Sequence, residues 1–152
     1  MSKFIKKPKN FLVFIGGPGI GKTHFCSCLI PWALQNFNSF RYFDEKTLHQ
    51  RLRDCIHSGS GEYSIELSLL TDDDLIILDD VASEKVNEWR EDVFFNFLDE
   101  RYKSMKPTII TSNLSRKKFQ ETYHPRIVSR LFATENTIIE LPDAVDQRSL
   151  GK

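Results

Sequence analysis

The residues with the clearest chemistry form one glycine-rich run: Gly16, Gly17, Pro18, Gly19, Ile20, Gly21, Lys22 and Thr23. Their spacing fits G-x-x-x-x-G-K-T, a loop that wraps phosphate. Side chains at the glycine positions would hold backbone N–H groups away from phosphate oxygens. A helix opening at Lys22 adds its unpaired N–H groups and the positive end of its dipole. Lys22 brings a full charge to the outer phosphates, and the Thr23 hydroxyl is a ligand for Mg2+. An incidental glycine turn is the competing reading. The apolar run Phe11–Ile15 before the loop and the helical pattern after it argue against that.

A second apolar run, from Leu75 to Leu78, ends in Asp79 and Asp80. Carboxylates at such a strand end are costly unless they have partners or work. Asp79 is expected to hold Mg2+ through water, and Asp80 to polarise or deprotonate an attacking water. For Asp80 a helix N-cap is the rival role. Asp72, Asp73 and Asp74 precede the strand and read as exposed turn residues. Asn113 follows the apolar run 107–111. It is suited to hydrogen-bond between a γ-phosphate and the attacking water, although an Asn after a strand is more often a turn former.

The elements that must position these groups alternate. Strands are expected at 11–15, 40–43, 75–78, 107–111 and 137–141. Helices are expected from Lys22 to about Ala33, ended or bent by Pro31, and from Glu45 to His57, broken by 58–61. An amphipathic helix follows from about Glu84 to Lys103, then short helices from Ser115 and over 126–132. Five strands separated mostly by helices imply an α/β fold, a doubly wound five-stranded parallel sheet. Ligands of such sheets sit beyond the carboxyl ends of the strands, where both motifs fall.

The 152 residues suit one domain, with 40% apolar residues and twelve phenylalanines for its core. Lys plus Arg and Asp plus Glu both number 21, so net charge selects no partner. Lys3, Lys6, Lys7 and Lys9 make residues 1–10 a basic arm before a domain over 11–152, and Arg116, Lys117 and Lys118 form a second cluster. Each alone reads as solvated surface. Cys26 and Cys28 fall on different helical faces, which suits neither a disulfide nor a zinc site, and read as core or near-core thiols in a reducing cytoplasm. No run approaches the roughly 18 apolar residues of a membrane span. His24, His49, His57 and His124 are too scattered for a metal site, and Trp32 and Trp89 read as core. Phe4 and Ile5 are adenine neighbours on position alone.

Taken together, four segments resemble the AAA+ ATPases, in the branch of DnaC/DnaI helicase loaders and IstB transposition helpers. They are the loop continued as far as His24, the strand Asp74–Asp80, Arg101 and Tyr102 followed by 107–114, and the box from Arg126 to Leu131. The resemblance spans about 11–141. It implies a P-loop NTPase of the AAA+ ASCE core type without a separate lid domain, using ATP and Mg2+. It also implies a sensor role for Asn113, an arginine finger at Arg130 or else Arg126, and, on a weaker match, a sensor 2 arginine at Arg148. A finger completes the neighbouring subunit's site; surface ion pairing is the rival role for both arginines. The implied protein is a cytoplasmic ATPase, weak without its partner or DNA, that forms a nucleotide-dependent homo-oligomer and meets single-stranded DNA. It acts in DNA replication on a replicative helicase, or alternatively on a transposase. A non-hydrolysing nucleotide switch stays open because Asp80 stands where many AAA+ proteins carry Glu; Asp is common there in this branch, with a shorter reach. A small-molecule kinase is disfavoured by the short, base-poor stretch 58–74.

Overall fold

The computed structural model describes residues 2–56 and 61–141, with only the backbone of Ser2 and Lys3. In chain order the elements are α1 (Ser2–Lys6), β1 (Phe11–Ile15), α2 (Lys22–Asn36), β2 (Phe40–Asp44), α3 (Glu45–Ile56) and α4 (Glu62–Thr71). They continue as β3 (Leu75–Val81), α5 (Glu88–Lys103), β4 (Thr108–Ser112), α6 (Arg116–Thr122), α7 (Pro125–Leu131) and β5 (Thr137–Glu140). All strand pairs are parallel, in the order β2-β3-β4-β1-β5. The fold is the doubly wound, five-stranded parallel α/β sheet that the alternation implied. The strand carrying Asn113 at its end therefore lies between the loop-bearing strand and the acidic one.

Alternation along the strands feeds two apolar layers. Phe11, Val13, Ile15, Ile76, Leu78 and Ile110 face one side, under Leu48 and Leu52 of α3, four residues of α5, and Phe119, Ile127 and Leu131. Leu12, Leu75, Ile77 and Ile109 face the other, under Cys26 and Ala33 of α2 and under Phe4. The central strands β1 and β4 are buried throughout, as strands covered on both faces should be.

Several local expectations change. Pro31 does not end α2, which runs on to Asn36. Proline removes one helical N–H bond, and packing of Ala33, with Trp32 against the same layer, carries the helix past it. The stretch 58–74 contains a helix, α4, that was not expected. Its apolar residues Tyr63, Ile65, Leu67, Leu69 and Leu70 spread around the axis and leave no 3.6 period to read. His57 and residues 58–60 lie outside the described residues. Helix α5 starts at Glu88, four residues late, because Asn87 is the stronger cap: its side chain accepts the Arg90 N–H at 2.9 Å. The basic arm carries α1, and Phe4, 2% exposed, is a core residue. Cys26 is buried, but Cys28 is exposed, its sulfur 3.6 Å from His24 Nε2. Trp32 and Trp89 are half-buried at the core's margin.

The amino ends of the strands are tied by Arg101, which is fully buried. Its guanidinium donates to Thr108 Oγ1 at 2.9 Å, the Thr71 carbonyl at 2.8 Å, the Pro107 carbonyl at 2.5 Å and the Asp73 carbonyl. Asp73 and Asp74 are accordingly not the exposed turn residues expected. Asp73 pairs with Arg41 at 2.6 Å, and Asp74 accepts the Asn38 and Ser39 N–H groups. Asp72 is exposed. Among the described residues no helix is long and apolar enough to cross a membrane.

Candidate nucleotide-binding site

The glycine loop joins the carboxyl end of β1 to α2. Gly16 packs so closely that an added Cβ would meet Ile20 Cδ1 at 2.6 Å and the Leu141 carbonyl at 2.8 Å. Gly19 and Gly21 adopt φ of 79° and 88°, the left-handed region that glycine enters without strain. Helix α2 then begins at its N-cap Gly21 with no side-chain cap among the described residues, a helix start of the kind that binds phosphate. Lys22 is buried, its ammonium donating at 2.7 Å to the carbonyls of both Gly16 and Gly17.

Strand β3 does not stop at Leu78 as expected but continues through both aspartates to Val81, with its register against β4 shifted between Leu78 and Val81. The shift accompanies a left-handed Asp80, φ 56°. Asp79 is 5% exposed. The Thr111 hydroxyl donates to its Oδ1, and the Tyr42 hydroxyl to its Oδ2 at 2.7 Å. Thr111 Oγ1 also accepts the Asp80 N–H at 3.0 Å, and Asn113 Nδ2 donates to Asp80 Oδ1 at 2.9 Å. Thr111 and Asn113, two residues apart along the chain, thus hold the two carboxylate residues. Asp80 lies within a strand and Asn87 caps α5, so the N-cap role for Asp80 is excluded.

These groups open onto a cavity of about 910 Å3, lined by Pro18, Gly19, Gly21, Lys22, Thr23, His24, Asp79, Asp80 and Asn113. Gly16, Gly17 and Ile20 are not part of the lining; both glycines are buried and Ile20 is half-buried. Tyr42, Asp44, Thr47 and Thr111 also line it and were missed. A threonine inside the apolar run 107–111 was the available signal for Thr111; nothing local marks Tyr42. Asp44 accepts the Thr47 N–H at 2.7 Å, and hydrogen bonding from the Thr47 side chain, then from this N–H, holds its carboxyl below the usual range. Phe4 and Ile5 are absent from the lining.

The residues fit Mg2+ with a nucleotide. Among the described residues no three His, Cys, Asp or Glu side chains could hold a metal by themselves. Mg2+ needs less: a hydroxyl, one carboxylate acting through water, and phosphate oxygens. Thr23 and Asp79 are the groups that would hold it, beside an uncapped helix start for the phosphates.

Behind β3, Glu45 is buried, accepting the Ala82 N–H at 2.7 Å and the Tyr123 hydroxyl at 3.4 Å. Burial pushes its carboxyl up to about 7. His49, one turn along α3, is also buried, with Nδ1 unpartnered and Nε2 3.3 Å from the Arg90 carbonyl. Burial pulls it down to about 4.

The two arginines of α7 do not reach this cavity. Arg126 pairs with Asp92 at 2.5 Å and Arg130 with Asp99 at 2.5 and 2.9 Å, both on α5. Their guanidinium carbons lie 4.2 and 4.5 Å from the centre of the Phe95 ring. Arg148 lies outside the described residues.

A family model described as IstB-like ATP binding protein matches residues 1–131. A protein of insertion sequence IS232 from Bacillus thuringiensis subsp. berliner, described as ATP-binding, is 25% identical over 130 residues, covering 85% of this chain and 50% of its own. The chain spans about half the length of the curated relatives it matches. The crystal structure of the DnaC helicase loader superposes with a TM-score of 0.73 at 24% identity, covering 91% of this chain and 85% of that one. The replication initiator DnaA bound to AMPPCP and single-stranded DNA gives 0.77 at 22% identity, over 92% of this chain and 44% of that one.

Proposed function

The chain belongs to the IstB-like ATP-binding protein family, and we propose that it is a Mg2+-dependent ATPase that assembles on DNA to remodel a partner protein. The observation that carries this reading is the convergence of Lys22, Thr23, Asp79, Asp80 and Asn113 on one cavity. ATP supplies the phosphoryl group that is transferred to water, and Mg2+ offsets charge on its outer oxygens. Thr23 and Asp79 hold the cation, and Lys22 leaves its loop carbonyls for phosphate. Asp80, oriented by Asn113, takes a proton from the attacking water. Arg130, with Arg126 as second choice, acts on the neighbouring copy's site, which accounts for its distance from its own cavity.

The partner is a replicative helicase met on single-stranded DNA in the cytoplasm, a reading motivated by the likeness to a helicase loader and a DNA-bound initiator. Exposed Arg116, Lys117 and Lys118 supply a basic contact for the phosphate backbone. The insertion-sequence relative favours a second reading, in which the partner is a transposase. Calorimetric titration with ATP and Mg2+ tests the core claim. Binding is expected in the native protein and abolished in Lys22→Ala; a native protein without binding ends the proposal. Asp80→Asn should keep ATP and lose turnover, whereas a nucleotide switch would behave unchanged. Light scattering with ATP, ADP or neither, and with single-stranded DNA, reads the expected assembly.

A further inference from the structure

Asp79 is pinned from both sides of its strand. Thr111 reaches one carboxylate oxygen from β4, and Tyr42 reaches the other at 2.7 Å from β2. The two donors differ in what else they do. Thr111 is wholly buried and also carries the Asp80 N–H, so its place is fixed by the sheet. Tyr42 is 37% exposed, its side chain lies against the cavity, and its neighbour Phe43 supplies the core contact from this strand. Packing therefore does not account for an aromatic ring at position 42, whereas the hydroxyl has a specific partner.

Both donors are neutral. A lysine or arginine in either place would orient the carboxylate but cancel the charge a cation needs. Two hydroxyls fix both oxygens and leave that charge, and further lone pairs, directed at the cavity. We propose that Tyr42 is a positioning residue for the divalent cation: it holds the Asp79 carboxylate in the orientation that accepts the metal's water ligands. The inference rests on the ATP·Mg2+ reading of the site. Freed of the phenol, Asp79 can turn about its last side-chain bond, and metal affinity falls while the phosphate loop is untouched.

The test is ATP affinity of native protein and Tyr42→Phe, each measured with Mg2+ and with EDTA. Phenylalanine keeps the ring, so the fold is expected to persist, checked by an unchanged thermal midpoint in EDTA. Loss of an outer-shell partner lowers metal affinity by about ten- to a hundred-fold. The gain in ATP affinity on adding Mg2+ should shrink accordingly in Tyr42→Phe, with affinity in EDTA unchanged. Titrating Mn2+ into the ATP complex by electron paramagnetic resonance should show the same weakening directly. An equal Mg2+ gain in the two proteins overturns the role of Tyr42 alone. Failure of the native protein to bind ATP overturns the functional reading, and this inference with it.

Discussion

Glu45 and His49 lie one turn apart on α3, 4% and 3% exposed, and their titrations oppose each other. Burial lifts Glu45 from 4.5 to about 7, although the Ala82 N–H, Arg90 and Tyr123 favour the ionised form; Asp80 adds to the rise. Burial lowers His49 from 6.5 to about 4, the Arg90 carbonyl opposing it and the charge of Arg90 reinforcing it. Each displacement is worth on the order of 3 kcal/mol, at about 1.36 kcal/mol per tenfold change in proton affinity. The Glu45 contribution is present below about pH 4.5 and lost as pH rises through about 7. The His49 contribution is present above about pH 6.5 and lost as pH falls through about 4. Across the shared window the two slopes nearly cancel. Glu45→Gln keeps an acceptor for Ala82 but cannot ionise, so its stability relative to the native protein should rise by roughly 2–3 kcal/mol between pH 5 and pH 8. His49→Gln should gain on the native protein by a similar amount in the opposite direction, toward acid. Urea titrations followed by tryptophan fluorescence at several pH values read both differences. A Glu45→Gln curve parallel to the native one from pH 5 to 8 would falsify the burial argument.

Two further substitutions probe the frame and the site. Arg101→Met strips the Thr71 and Asp73 carbonyls of their guanidinium donor, at about 1–3 kcal/mol each less the cost of burying the charge. Calorimetry should show a melting midpoint lower by roughly 6–12 °C for a net loss of about 3 kcal/mol, and Arg101→Lys, lacking the planar fork, should recover only part of it. Thr111→Val preserves shape but removes the hydroxyl shared by Asp79 and Asp80. ATP turnover should fall by about ten- to a hundred-fold while ATP affinity in EDTA stays the same, as a paired turnover and binding assay would show.

The legible parts of the chain are those whose physics is local. The phosphate loop announces itself because strand, glycines, lysine and helix are contiguous, and β1 and the start of β3 announce themselves as short continuous apolar runs. The acidic pair was readable as a pair, but its continuation to Val81 was not. A register shift depends on what β4 offers opposite, which no window along β3 contains. Helix α4 was hidden because Ile65 and Leu69 are apolar yet 63% and 54% exposed, which erases the amphipathic pattern. Arg101 was visible only as part of a family motif, since a charged residue reads as surface until the carbonyls that surround it are known. Tyr42 meets Asp79 across a gap of 37 residues, and only the parallel pairing of β2 with β3 brings them together.

The left-handed backbone at Asp80 bears on a choice that chemistry alone leaves open. Among side chains other than glycine, aspartate and asparagine enter that region most readily, because a short polar group can bond locally. Glutamate has the longer reach toward a water but lacks this local compensation, and the conformation costs an ordinary residue about 1–2 kcal/mol. The same turn that delivers the Asp80 N–H to Thr111 therefore discriminates between the two acids. In this sheet, the length of the carboxylate's arm is set by the bend of the strand that carries it.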